Sequence, residues 1–258
     1  MRFGLHGVLA VLAACSWYSS AFAQDKSKPE KNNRAMSTYT TCNEESTGKL
    51  VGSHKARTSV LVSPDGKFRA YAESEAAAST TNDGTAPECQ NRSKLYVAGA
   101  ASQEFHVVLE LKPDSETLGN SIDLIDWSPR GHRLLVAEGT WQWGSDAGAL
   151  VARIYDAEAG ALCVHGLVED AFRLRFGNGC VGVFHPVGSS PDGGAIIKAG
   201  PYFDVGEDQP LKESCISKTG LWLVEPLTRT VHLLPHLYRF HRYGTTAANA
   251  FLGRGNVA

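Results

Sequence analysis

Five cysteines lie beyond the first 23 residues, at Cys42, Cys89, Cys163, Cys180 and Cys215. No two form a Cys-x-x-Cys pair, so neither a zinc knuckle nor a thioredoxin-type redox motif is encoded. The chemistry open to them is disulfide formation in an oxidising compartment, and an odd number leaves at least one over. Nucleophile chemistry is poorly supplied. There is no Gly-x-Ser-x-Gly elbow, and Gly188-Ser189-Ser190 falls in what reads as a turn. His232 and His236 have a His-x3-His spacing, with His241 close behind, but the zincin glutamate is missing and Pro235 argues against a helix there. His232 alternates with apolar residues, as a half-exposed strand histidine would. The densest acidic patch, Asp204 to Asp208, has alternate oxygen donors suited to Ca²⁺ but lacks the ordered series of an EF-hand loop, and reads as a solvated loop. Asp123 and Asp126 flank Ile125 in one strand-like run. An acid–base pair needs its carboxyls ~5 Å or ~6.5–9.5 Å apart across a cleft, which neighbours on one strand do not establish. No catalytic residue, metal or cofactor is therefore assigned.

Aromatic residues are the remaining candidates. Trp141 and Trp143 alternate, placing both rings on one side of a strand, and Tyr202-Phe203 occupies a corresponding place further on. Together they could line a binding surface; the competing reading, favoured by the bias of Trp toward buried positions, is packing between sheets. The segment His236 to Arg242 is basic and aromatic, and could dock a partner or complete a sheet edge. Asn91-Arg92-Ser93 is a glycosylation sequon by pattern only.

The start of the chain supplies the compartment. Arg2, an apolar run from Phe3 to Ala14 broken only by His6, and small residues at Ala21 and Ala23 read as a signal peptide over 1–23, cleaved before Gln24. A lipobox-like Leu12-Ala13-Ala14-Cys15 is the lesser alternative. The expected location is periplasmic or secreted, with no integral membrane span. The chain has 25 basic and 27 acidic residues, a formal −2; losing Arg2 leaves 24 against 27, or −3. Neither sign dominates, so composition implies no nucleic-acid or acidic-membrane partner.

Positions 24–37 are polar and proline-broken and read as a flexible linker. From 38 to 258, short apolar or alternating runs separated by Gly, Pro, Asn and Asp indicate an all-β domain; only Val168 to Phe176 looks helical, and it could equally be a strand. An internal repeat organises this domain. Ser63-Pro64-Asp65-Gly66 recurs as Ser128-Pro129-Arg130-Gly131 and Ser190-Pro191-Asp192-Gly193, with prolines 65 and 62 residues apart. Pro presets φ at the first corner, Asp can cap the turn, and Gly takes the positive φ. Strand-like runs begin after each turn at Phe68, Leu134 and Ala195, then at Lys94, Ala152 and Gly220, then at Phe105, Ala161 and Thr230. With the strand entering each turn, that makes four per copy, over about 50–112, 119–168 and 180–235.

Four strands per repeat suits a propeller blade. Ser-Pro-Asp-Gly-Lys leading into an apolar strand resembles the TolB-type, WD-repeat-like β-propeller repeat of exported bacterial proteins, over about residues 50 to 235. The resemblance implies a propeller-like array of three four-stranded antiparallel sheets and protein–protein contact in the envelope. Three copies are fewer than the usual ~4–8 blades, so an open edge is expected. Its cover would be the tail Arg239 to Arg254, the segment Thr38 to Leu50, or a second copy making a six-bladed homodimer. The extra length of the copies lies at Ser74 to Arg92 and Gly200 to Thr219, where Cys89 and Cys215 each stand seven residues before an aromatic, Tyr96 and Trp222. These matched positions favour Cys42–Cys89 and Cys180–Cys215, with Cys163 reduced, although sequence alone does not fix connectivity. The functional expectation is a binding or interaction protein with a protein partner. The alternative is a hydrolase or lyase with its site on a propeller-like face.

Overall fold

The computed structural model describes residues 36–42, 52–79, 88–102, 104–113, 119–142, 148–163, 166–203, 210–212 and 214–247. The expected signal peptide, Cys15, most of the linker, Trp143 and the acidic run 204–208 lie outside them. The chain forms β1 (His54–Arg57), β2 (Val60–Val62), β3 (Phe68–Ser79), β4 (Glu88–Gly99) and β5 (His106–Leu111), then β6 (Gly119–Trp127), β7 (Arg133–Trp141), β8 (Gly148–Asp156) and β9 (Ala161–Leu162). Helix α1 (Leu167–Phe176) precedes β10 (Val183–Ser189), β11 (Ala195–Gly200), β12 (Gly220–Glu225) and β13 (Thr230–Leu233), and β14 (Thr245–Ala247) closes the order. The fold is all-β and propeller-like. Its second and third sheets are four-stranded and antiparallel, in the orders β6-β7-β8-β9 and β10-β11-β12-β13.

The first sheet departs from four strands for two local reasons. Its entering strand is interrupted at Thr58, whose hydroxyl accepts from the Ala72 amide at 2.9 Å, so β1 and β2 pair with successive parts of β3. It also gains β14, which pairs antiparallel to β2. The open edge foreseen from three repeats is thus covered along β2 by the chain's own tail.

The three turns match. The amides of Gly66, Gly131 and Gly193 donate to the carbonyls of Ser63, Ser128 and Ser190 at 2.8–2.9 Å, and the glycines take φ of 71°, 76° and 87°. Each turn serine also accepts an amide on its hydroxyl: Phe68 on Ser63, Arg133 on Ser128 and Gly194 on Ser190, at 2.9–3.1 Å. The third turn is one residue tighter, since Ser189 pairs with Ala195 whereas Trp127 pairs with Leu134. Pro64, Pro129 and Pro191 each occupy the first corner.

Alternation along β3 explains how the sheets stack. Ala70, Ala72 and Ala76 are fully buried in the core, while Arg69, Glu73 and Glu75 face the other way. The small inward residues let the second sheet approach, and Leu61, Leu95, Val97, Ile122, Leu124, Trp127, Leu134 and Val136 fill the first core. A second core joins sheets two and three through Leu135, Ile154, Ile197 and Val224. Helix α1 buries Leu167, Val168, Ala171 and Phe172 in it, so the ambiguous run is helical and amphipathic. The Ser74–Arg92 insertion is mainly a long hairpin rather than a loop: β3 and β4 stay paired from Phe68↔Gly99 out to Ser79↔Glu88.

Disulfides join Cys42 to Cys89 and Cys180 to Cys215, and Cys163 is a free thiol. Two bridges fit an oxidising compartment. Among the described residues no helix is long and apolar enough to cross a membrane.

Candidate functional site

Strand β6 carries the chemistry that sequence reading left undecided. A register shift at Ile125 breaks its alternation, and Asp126 ends up 1% exposed. Its carboxylate accepts from three backbone amides: Trp127 at 2.9 Å, Tyr243 at 3.0 Å and Gly244 at 2.9 Å. Burial pushes this carboxyl above the usual range, against the lowering effect of those amides. Asp123 is likewise raised by burial, opposed by the Ser37 hydroxyl and the Thr38 amide, and it bridges to Ser37. Both carboxylates thus have structural partners. Each fastens one end of the chain.

The N-terminal end runs as a strap from Met36. Met36 is buried in the first core, and Thr38 is fully buried with its hydroxyl donating to the Ile122 carbonyl at 3.1 Å and accepting the Ile122 amide at 2.8 Å. The last two residues of the expected linker, Met36 and Ser37, thus pack against the domain, Met36 through the first core and Ser37 through its bridge to Asp123 on β6. Asn91 is fully buried and its side-chain amide donates to the Thr40 carbonyl, so the sequon is inaccessible. Asn91, Ser93, Ser74 and Asn120 form a buried polar seam beneath this strap.

The aromatic candidates separate into different roles. Trp141 is half-buried, packs on Tyr39 with ring centroids 5.0 Å apart, and lies so close over Gly119 that a Cβ there would collide with the indole. Tyr202 is 4% exposed, and its amide donates to the Ser214 hydroxyl. Among the described candidates it is Phe203 that is exposed, at 41%. Packing therefore absorbs Trp141 and Tyr202.

The outer face of the first sheet is charged and laced with ion pairs of its own. The register sets Arg57, Glu73, Lys94 and Glu110 in one row across β1, β3, β4 and β5. Arg57–Glu73, Lys94–Glu110, Lys55–Glu75 and Arg92–Glu110 are all ion-paired at 3.3–3.7 Å. Tyr71 stacks on Tyr96 beneath the Arg57 guanidinium.

The third sheet and its flanks differ. Among the described residues, the exposed large apolar side chains Leu174, Phe176, Phe203, Leu227, Leu233, Leu237 and Phe240 belong to this part of the chain, and Tyr39 and Val107 lie elsewhere. The tail after β13 makes a turn closed by the Tyr238 amide on the Pro235 carbonyl, then lays Phe240 against Gly188 before reaching Asp126. His232 is exposed on β13, and among the described residues no group of three or more His, Cys, Asp or Glu side chains could hold a metal. A cavity beside the second and third turns, lined by Ser128, Arg133, Ser189 and Gly194 among others, has a volume of about 10 Å³, room for about one water and far below the ~300–1,000 Å³ of small-molecule sites.

Sequence reading missed the roles of Asp123 and Asp126. The available signal was a pair of carboxylates inside an otherwise apolar strand, where an ion is retained only if it is hydrogen-bonded. No protein-family model matches the chain, and no curated protein matches it at a significant level.

Proposed function

We propose that this protein is an exported, propeller-like binding module of a bacterial envelope, acting by contact rather than by chemistry. The observation that carries the reading is the concentration of exposed apolar side chains on the third sheet and its flanks, while the first sheet's outer face is charged and paired within itself. Exposed apolar groups gathered in one region mark interaction surfaces. The signal-peptide pattern, the two disulfides and the likeness to TolB-type repeats support placement outside the cytoplasm.

The test is capture from an envelope fraction, with the secreted chain as bait and a Leu233→Asp chain of unchanged melting temperature as control. A stoichiometric partner retained by the former and lost by the latter supports the reading. Turnover of any member of a peptide or glycan panel, retained after Leu233→Asp, would sink it in favour of a hydrolase or lyase.

A further inference from the structure

We infer that the segment from His232 to Arg242 is a docking strip for an anionic phospholipid surface. The inference rests on the binding-module reading and names the partner's chemistry. The strip's eleven residues include no Asp or Glu, but contain Arg239, Arg242, His232, His236 and His241. Among the described residues neither Arg239 nor Arg242 forms an ion pair, although Arg242 lies near enough to Asp126 to act on its carboxyl, whereas Lys55, Arg57, Arg92 and Lys94 on the first sheet all do. Those first-sheet cations are held by carboxylates of their own sheet, Arg92 and Lys94 sharing Glu110 with Lys112; the strip has no carboxylate of its own to hold Arg239.

The apolar groups are placed to accompany it. His236 and Leu237 are the central residues of the Pro235–Tyr238 turn, and Leu237 is 85% exposed at its tip. Leu233 is 61% exposed just before the turn and Phe240 is 36% exposed just after it. Because β13 holds one end and the Asp126 carboxylate holds Tyr243 and Gly244 at the other, this projection is preorganised.

An aliphatic tip flanked by aromatic rings and arginines suits the headgroup boundary of a bilayer, where apolar insertion and attraction to anionic lipid add together. A protein interface of standard size needs roughly 20–30 residues a side, more than this single projecting turn supplies. The chain's small net negative charge does not oppose such contact, because attraction to a charged surface acts within a Debye length of about 8–10 Å.

The experiment is co-sedimentation of the secreted chain with mixed phosphatidylcholine–phosphatidylglycerol vesicles and with pure phosphatidylcholine vesicles. Binding to the mixed vesicles alone is expected, weakening as salt rises. Leu237→Asp and the double variant Arg239→Glu/Arg242→Glu should each reduce it by roughly tenfold or more, and Lys94→Gln should leave it unchanged. Near-ultraviolet circular dichroism and melting curves identify any variant that has lost its fold, and Leu237→Ala then replaces Leu237→Asp. The inference is overturned by an unsubstituted chain that ignores the mixed vesicles, by binding that survives both strip variants, or by equal loss in Lys94→Gln. A soluble envelope protein captured through the strip without vesicle binding would likewise overturn it, while leaving the binding-module reading intact.

Discussion

The two ends of the described chain meet on one strand, β6, and are fastened there in different ways. The N-terminal strap uses two hydrogen bonds of the buried Thr38 hydroxyl with Ile122, a bridge at Asp123 and a covalent link from Cys42 to Cys89. The C-terminal tail has no covalent link of its own. It depends on the Asp126 carboxylate, on Phe240 against Gly188 and on three residue pairs between β14 and β2. A covalent tether restricts the unfolded chain, whereas a carboxylate clamp acts only in the folded state. The first end should therefore answer to redox conditions, and the second to substitution at a single side chain.

Removing the covalent link should have the largest effect. Cys42→Ser combined with Cys89→Ser opens a loop with a sequence separation of 47, worth about 4 kcal/mol on a chain-entropy estimate. Chemical denaturation under oxidising conditions measures this, and reduction of the unsubstituted chain, which opens Cys180–Cys215 as well, should cost more. Loss of Asp126 comes next. Asp126→Ala leaves the amides of Trp127, Tyr243 and Gly244 without their acceptor, for a loss of about 3 kcal/mol. The comparison sharpens in hydrogen exchange: amides of Thr245 to Ala247 should lose protection while the Ile122 amide, held by Thr38, keeps it. Equal loss at both ends would mean that β6 responds as one unit. Thr38→Val should be smaller still. The hydroxyl both accepts from and donates to Ile122 in a fully buried position, so its removal should cost about 2 kcal/mol. Here Ile122 should exchange faster and β14 should not.

Much of the scaffold was legible because local chemistry dictates it. The Ser-Pro-x-Gly turns repeat a hydroxyl that caps an amide and a glycine that takes positive φ, so three short motifs located three sheets. The cysteine pairing was readable for a similar reason, since matched positions in repeated units meet matched neighbours. What could not be read depends on long-range meetings. Asp126 and Gly244 are separated by 118 positions, and nothing near either one announces the other. The register shift at Ile125 that orients Asp126 is likewise invisible in a run such as Asp123-Leu124-Ile125-Asp126. Tyr202 failed as a surface aromatic because it is buried within the Gly200–Thr219 insertion, next to Ser214; its own neighbours in sequence do not specify that.

The smallest expected effect is also the one whose sign separates the carboxylates that hold the chain ends from those that cap turns. Burial raises the carboxyls of Asp123 and Asp126. In the window between the ordinary carboxylate value of about 4 and those raised values, the folded chain keeps protons that the unfolded chain has released. These two carboxyls therefore make the melting temperature rise on acidification from neutral to mildly acidic pH, against the opposite effect of His185, which burial lowers. Asp65 and Asp156 act oppositely. The Ser63 hydroxyl lowers Asp65, and for Asp156 burial is outweighed by the Ala159 amide and Arg133. Their contribution is present above the ordinary value and is lost as pH falls through their lowered ones, so a decline should set in only under stronger acid. Asp126→Asn keeps a side-chain oxygen for the tail amides and removes the titration, and Asp123→Asn does the same for the strap. Each should flatten the rise between neutral and mildly acidic pH, and the double variant should abolish it while retaining the decline in strong acid. A melting temperature that falls steadily with acidification, with the same slope in the asparagine variants, would show that the two clamps hold their ends as well when ionised as when protonated.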